Sequence, residues 1–255
     1  MSFDVAADAY DRYMGRYSTQ LSAGLADLAG TLGSARVLDV GCGPGALTSE
    51  LVARVGAVNV TAVDPSAPFV AAARERNPGA TVLLAAAEVL PFADASFDAA
   101  FAQLVVHFMT EPVGGLREMR RVTRPGGVVA ASVWDFGGDR APISPFWAAA
   151  RSVDPDLRDE SLLPGVREGD LDALFAAAGL EAIAVTTLSS TVRYDTFEDW
   201  WLPYTGGVGP GGAYLASLDA DRRAAVREAC RARLPSGPFT ITAVAWACRG
   251  TVGPA

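Results

Sequence analysis

The sequence predicts a doubly wound α/β domain, and three observations predict it. Short apolar runs alternate with helix-like segments from residue 36 to residue 133, the order that parallel strands with right-handed crossovers require. The runs are apolar without period-two alternation, as in strands buried on both faces. The first of them, Val37-Leu38-Asp39-Val40, runs straight into Gly41-Cys42-Gly43-Pro44-Gly45. Glycine has no Cβ, so such a turn lets a ligand sit against the backbone.

The elements follow in order. Residues 5–33 carry alanines and leucines at helical spacing, broken near Gly15, with Ser18 or Thr19 placed to cap a second helix. The cluster Tyr10, Tyr13-Met14-Gly15-Arg16-Tyr17 reads either as packing on the sheet or as a lid over a ligand. Strands are expected at 36–40, 58–63, 80–84, 97–102 and 128–133, and helices at 45–55, 66–76 and 112–123. Asn77-Pro78-Gly79 stops a helix, and Pro125-Gly126-Gly127 reads as a turn. Past Trp134 the regularity lapses. Residues 135–169 hold proline breaks and a short helix near 145–153. A helix over 170–178 ends at Gly179, and 181–193 is a long strand. A Trp-rich helical stretch over 195–204 leads to a loop marked by Gly206-Gly207, Gly209 and Gly211-Gly212, a helix over 219–233 and a last alternating strand, Phe239–Cys248. No repeat or linker interrupts this order. The chain reads as one domain over 1–255, with a helical lid over 1–34, a cofactor-binding core over 35–135, and a substrate-side insert with the last strands over 136–255.

Composition narrows the partners. The net charge is −8, and every one of the 21 basic residues is Arg. An acidic chain without a basic tract suits neither a phosphate backbone nor an anionic surface, so a nucleic-acid partner is not expected. Arg117, Arg120, Arg121 and Arg124 read as a solvated helix face without interleaved aromatics. After the fourth strand stands Gln103-Leu104-Val105-Val106, not the Asn or Asp, two prolines and an aromatic of enzymes that methylate DNA bases. The three cysteines, Cys42, Cys230 and Cys248, are widely spaced and accompany a single histidine, so no metal site is expected. Reduced thiols, no secretory-type start and no run of roughly 18 apolar residues point to a cytoplasmic protein without a membrane span. The oligomeric state is open between monomer and homodimer.

Three details of the glycine turn discriminate among nucleoside ligands. The spacing is Gly-x-Gly-x-Gly, and Ala46 stands where a dinucleotide fingerprint places its third glycine. Asp39 lies two residues before the first glycine, where a carboxylate repels a pyrophosphate but suits an ammonium and a sulfonium. Asp64 ends the next apolar run, and an acid at a second strand tip can take both hydroxyls of a ribose. A loop over Ala86–Asp98 follows the third strand and offers backbone donors and an apolar wall to an adenine.

In this order the residues resemble the class I S-adenosylmethionine-dependent methyltransferases, of the ubiquinone/menaquinone-type small-molecule branch. The matching stretches are Val37–Ala46, Asp64-Pro65-Ser66, Ala87–Asp98, Gln103–His107 and Arg121–Val133. The resemblance implies a Rossmann-like, seven-stranded mixed sheet with an N-terminal helical lid and a small cap after strand five. It implies S-adenosyl-L-methionine as cofactor and a small-molecule acceptor. By the same resemblance Gly41, Cys42 and Gly43 meet the methionine part, with Asp39 near its amino group and Arg16 on its carboxylate. Asp64 meets the ribose, Pro65 and Ser66 the adenine edge, and Ala87 and Glu88 the ring. Gln103 offers its backbone carbonyl beside the methyl group, while Tyr13, Met14 and Tyr17 close the lid. Many relatives carry an acid at the position of Ala86, so adenine recognition here rests on backbone groups.

His107, the only histidine, is the candidate base, with Asp135 second. Tyr17, His107, Trp134, Phe146, Trp147, Trp200 and Tyr204 are candidate walls of an acceptor pocket; of the adjacent pair Trp200-Trp201 only one can face it. The expected activity is methyl transfer to an oxygen, nitrogen or carbon of a small molecule. The alternatives are a nicotinamide-dependent oxidoreductase and a non-catalytic binder of S-adenosylmethionine.

Overall fold

Seven strands form one sheet: β1 (Val37–Val40), β2 (Val60–Asp64), β3 (Thr81–Leu84), β4 (Phe97–Gln103), β5 (Thr123–Trp134), β6 (Glu181–Tyr194) and β7 (Phe239–Thr251). Their spatial order is β3-β2-β1-β4-β5-β7-β6. The first five pair in parallel, and β7 runs antiparallel between β5 and β6. This computed structural model describes residues 10–30 and 32–254. The part of the leading helix expected over residues 5–9, and residue 31 near its end, lie outside the described residues.

The helices are α1 (Arg16–Asp27), α2 (Ala46–Val55), α3 (Ala67–Arg76), α4 (Pro112–Val122), α5 (Ser144–Val153), α6 (Asp170–Ala177), α7 (Phe197–Trp201), α8 (Gly209–Ser217) and α9 (Ala220–Arg233). They cover both faces of the sheet, which explains why β1 is buried at every position. Leu25 of α1 and Leu47 and Leu51 of α2 pack with Val37, Val60 and Phe101. On the other face Leu116 and Met119 of α4 and Phe175 of α6 pack with Leu38, Ala100 and Val129. Burying a Leu or Phe in this way contributes about 1.5–3 kcal/mol each.

Two elements depart from expectation. The turn expected at Pro125-Gly126-Gly127 lies inside β5. The pairing with β4 slips there, from Phe97 opposite Thr123 to Ala99 opposite Val128. The C-terminal end of the chain holds the slipped stretch: Gly126 N–H donates to the Val252 carbonyl at 2.8 Å, and Val252 N–H donates to the Gly127 carbonyl at 2.9 Å. The glycine-rich stretch expected as a loop contains helix α8. There tertiary packing outweighs the poor helix propensity of glycine. A Cβ at Gly211 would stand 2.4 Å from Ile143 Cδ1, and one at Gly212 would stand 2.6 Å from the Gly207 carbonyl carbon.

Beyond β5 the insert builds its own aromatic cluster. Phe146 of α5 stacks on Tyr204 with centroids 4.8 Å apart, and Tyr204 meets Tyr13 edge-on at 5.2 Å. Helix α1 is tied to this cluster through β6. The Tyr17 and Tyr194 hydroxyls hydrogen-bond at 2.9 Å, and Arg16 Nη2 donates to the Arg193 carbonyl at 2.9 Å.

The tyrosine pair yields a test. Tyr17→Phe or Tyr194→Phe leaves one buried hydroxyl without its partner and is expected to cost about 1–2 kcal/mol in chemical denaturation. The double variant removes both hydroxyls, so its loss is expected to be smaller than the sum of the two singles.

Candidate functional site

The carboxyl ends of β1, β2 and β4 open on one cavity of about 960 Å³. Its floor is fixed by backbone hydrogen bonds. Gly41 and Cys42 N–H both donate to the Val63 carbonyl, at 2.8 and 2.9 Å. Gly43 N–H donates to Asp64 Oδ2 at 2.9 Å, and Ser66 N–H donates to Asp64 Oδ1 at 2.8 Å. The turn after β1 is thereby held against the tip of β2. Gly41 has φ +70°, and a Cβ there would lie 2.5 Å from the methyls of Val105. Gly43 has φ +53°, and a Cβ there would meet nothing within 4 Å. One glycine makes room for the chain behind it; the other leaves open space in front.

Of the residues expected from the sequence, Asp39, Gly41, Cys42, Gly43, Asp64, Pro65, Ser66, Ala87, Glu88, Gln103 and His107 all line this cavity. Ala86 lines it too, without an acid to offer an adenine amino group. Glu88 Oε1 accepts Thr110 N–H at 2.8 Å, which ties the loop after β3 to the segment before α4.

Other expected residues lie elsewhere. Arg16, expected on a carboxylate, spends its guanidinium on the Arg193 carbonyl and on the face of Tyr194, 4.6 Å from the ring centroid. Tyr13, Met14 and Tyr17 belong to the aromatic cluster of the insert, as do Trp134, Phe146, Trp147, Trp200 and Tyr204. None of these lines the cavity. Their rings bury one another, and Trp147 also donates from Nε1 to the buried Glu160 carboxyl at 2.7 Å. Asp135, the second candidate base, is buried away from the cavity, accepting Gly138 N–H at 2.8 Å and Arg140 Nε.

Sequence reasoning gave no site role to Phe69, Leu104, Met109, Leu163 or Pro164, read Ser18 only as a helix cap, and placed Tyr10 in the candidate lid; the cavity includes all seven. Tyr10 carried a signal, since it opens the aromatic run of the leading segment. Leu163 and Pro164 carried none, because the insert brings them to the cavity from far along the chain.

Electrostatics sharpen the picture. Burial, opposed by the 2.6 Å hydrogen bond from Thr48 Oγ1 and aided by the Asp64 charge, pushes the Asp39 carboxyl up to about 7. Burial likewise raises Asp64, against the two N–H groups that favour its charged form. Burial drives His107 down to about 3. The imidazole is therefore neutral at neutral pH, and the expected base near neutrality becomes a poor one. Its ring centroid lies 4.0 Å from that of Phe108. Burial and the charges of Asp39 and Asp64 raise the Cys42 thiol, which keeps it protonated.

Among the described residues four cavity-lining ones carry a buried polar atom without a hydrogen-bond partner: Asp39 Oδ1, Gln103 Oε1, Ser18 Oγ and His107 Nδ1. Seven more such atoms lie off the cavity, among them Ser132 Oγ, Trp200 Nε1 and Arg249 Nε, and each costs on the order of 1–3 kcal/mol. Among the described residues no group of three or more His, Cys, Asp and Glu could hold a metal ion, and no helix is long and apolar enough to cross a membrane.

Comparison with known proteins gives the same region a name. A methyltransferase domain family matches residues 38–131. An uncharacterized methyltransferase of Mycobacterium sp. (strain KMS) is 32% identical over 209 residues, 77% of this chain and 82% of that protein. A malonyl-[acyl-carrier protein] O-methyltransferase of Erwinia pyrifoliae is 38% identical over 123 residues, 44% of this chain; the chain spans about half, 46%, of that relative's length. Among solved structures, the Haemonchus contortus phosphoethanolamine N-methyltransferase 2, in complex with phosphomonomethylethanolamine and S-adenosylhomocysteine, superposes with a TM-score of 0.61 at 16% identity, covering 98% of this chain and 57% of that one.

The Asp39 shift yields a prediction with a definite sign. A carboxyl raised by the fold keeps a proton that the unfolded chain has already released, so it makes stability fall as pH rises from its ordinary 3.8 towards about 7. Asp39→Asn cannot ionise. Its stability relative to the parent, read from urea denaturation, is expected to improve as pH climbs to about 7 and then level off. A pH-independent difference would contradict the buried, raised carboxyl.

Proposed function

Because the chain belongs to the class I S-adenosylmethionine-dependent methyltransferases, we propose that it transfers a methyl group from this cofactor to a small-molecule acceptor, with the cavity at the tips of β1, β2 and β4 as its site. The observation that carries the reading is one cavity lined by Asp39, by the glycine turn with open space at Gly43, and by Asp64. An ammonium suits the Asp39 carboxyl, and a pyrophosphate would be repelled by it. The nicotinamide reading loses ground on the same group.

The residues present fit the cofactor. The backbone of Gly41, Cys42 and Gly43 and the carboxyl of Asp39 would hold the methionine end. Asp64 has accepting capacity left beyond its two backbone donors and would take the ribose hydroxyls. Ala86, Ala87 and Phe69 would give the adenine an apolar bed, with its polar edge left to backbone groups. When bound, S-adenosylmethionine supplies a methyl group on a sulfonium, whose departure as a neutral thioether asks little acid or base help. The chain's own contribution is then alignment and exclusion of water. Tyr10, Leu163 and Pro164 line the cavity and would do the latter. His107 is a positioning group in this account, since an imidazole with a pKa of about 3 stays neutral and takes up a proton poorly, its one N–H serving only as a hydrogen-bond donor. The acceptor in this reading is a small molecule, and the acceptor atom is left as oxygen, nitrogen or carbon.

Two outcomes test this. In isothermal titration calorimetry S-adenosylhomocysteine is expected to bind and NAD(H) not to, and Asp64→Ala is expected to weaken S-adenosylhomocysteine by at least about tenfold, as loss of a charged hydrogen-bond pair does. Unchanged affinity in that variant would remove Asp64 from the site. In turnover assays His107→Asn is expected to lower the rate without changing the shape of the pH profile. Disappearance of an ionisation near neutrality in the variant would restore His107 as a base.

A further inference from the structure

Between β3 and β4 the chain runs through residues 85–96 without a helix or strand, and Ala86, Ala87 and Glu88 of this loop line the cavity. Only Ala87 and Leu90 of the loop are buried. Apolar burial is a thin anchor for such a segment, so hydrogen bonds set its place. Its first half is held by Ala85 N–H, which donates to the Asp64 carbonyl at 3.1 Å, and by Glu88, which accepts Thr110 N–H.

The second half is held by one side chain of α4. Arg121 donates from Nε and Nη2 to the two carboxylate oxygens of Glu118 at 2.6 and 2.7 Å. It donates from Nη1 to the Phe92 carbonyl at 2.8 Å and to Asp94 Oδ1 at 2.7 Å, and from Nη2 to the Leu90 carbonyl at 3.1 Å. A guanidinium has five N–H groups, and these bonds use all of them. Glu118 completes the frame, its Oε2 accepting Leu90 N–H at 3.0 Å. The Arg121 hydrogen bonds hold the Glu118 carboxyl below its ordinary range, so the frame stays charged at neutral pH. The sequence placed Arg121 on a solvated face with Arg117, Arg120 and Arg124; its guanidinium is instead spent on the loop. Between the anchored Leu90 and the lining residues stands one turn, Val89 N–H to the Ala86 carbonyl at 3.3 Å. Helix α4 also backs on the lining itself: a Cβ at Gly115 would lie 3.4 Å from the Ala87 Cβ.

We propose that Arg121, with Glu118, is the positioning pair for base selection: it holds this loop so that backbone groups of residues 86–88 tell the amino edge of adenine from a base without it. The proposal rests on the methyltransferase reading and adds to it the element that sets base specificity. Ala86 has no carboxylate to take the amino group, so recognition falls to the backbone. A backbone group has no rotamers with which to follow a ligand, and a hydrogen bond weakens steeply off its geometry. The placement of the loop therefore carries the selectivity. Neither Arg121 nor Glu118 lines the cavity, so both act through the loop.

The test compares S-adenosylhomocysteine with S-inosylhomocysteine, which differ in the base alone; hypoxanthine carries a carbonyl where adenine carries its amino group. Each is titrated calorimetrically into the full chain, into Arg121→Met and Arg121→Lys, and into Arg117→Met as a control on the same helix, where Arg117 donates to the Ala177 carbonyl instead of the loop. The parent is expected to prefer the adenine ligand by at least about tenfold, the size of a donor replaced by an acceptor in a buried site. In Arg121→Met that preference is expected to shrink to about twofold or less, because only the adenine ligand depends on the loop being in place. Arg121→Lys is expected to lie between, since one ammonium cannot span two carboxylates and two carbonyls. Arg117→Met is expected to keep the parent ratio. A general loss of packing weakens both ligands alike and leaves the ratio unchanged. If Arg121→Met fails to fold, Arg121→Lys decides. A parent ratio retained in the Arg121 variant, or no preference in the parent, overturns the positioning role and leaves the methyltransferase reading intact. Failure of S-adenosylhomocysteine to bind the parent overturns both.

Discussion

The site depends on how the tips of β1 and β2 are joined. One carbonyl, that of Val63, accepts from two successive N–H groups of the glycine turn, and one carboxylate, Asp64, accepts from Gly43 and Ser66. These bonds use up the donors that the turn would otherwise leave bare, and they fix the turn as a rigid ledge. Asp39 of β1, the loop after β3 and Gln103 line the same cavity as that ledge. The same carboxylate therefore braces the floor and faces the cavity. Its partial burial, opposed by two N–H donors, leaves it raised but bonded.

The polar lining gives this ledge its meaning. Asp39 and Asp64 put two carboxyls on one cavity that no Arg among the described residues lines. Burial raises the first to about 7 and raises the second against its two N–H donors. A ligand that carries an ammonium and a pair of hydroxyls matches that lining.

Much of this was legible in the chain because it is local. The glycine turn, the acids at Asp39 and Asp64, and the alternation of strands and helices are carried by neighbouring residues, and the parallel order follows from right-handed crossovers. What the chain did not reveal is set at long range. Arg16 was expected on the ligand, but β6 offers it the Arg193 carbonyl and the Tyr194 ring, which no spacing announces. Trp134, Phe146, Trp147, Trp200 and Tyr204 were expected to wall the acceptor pocket, but their apolar faces are better buried against one another. Ser18 was read as a helix cap; its closeness to Gln103 comes from the packing of α1 on the sheet. The low pKa of His107 follows from complete burial, which a residue just past a strand end does not disclose.

The central claim is that the cavity at the ends of β1, β2 and β4 holds a sulfonium nucleoside. The most direct measurement is a crystal structure of the chain with S-adenosylhomocysteine. The account predicts the ribose hydroxyls on Asp64, the amino group on the Asp39 carboxyl and the sulfur turned towards Gln103. A ligand bound outside this cavity, or one whose ribose and amino group leave Asp64 and Asp39 untouched, would contradict it.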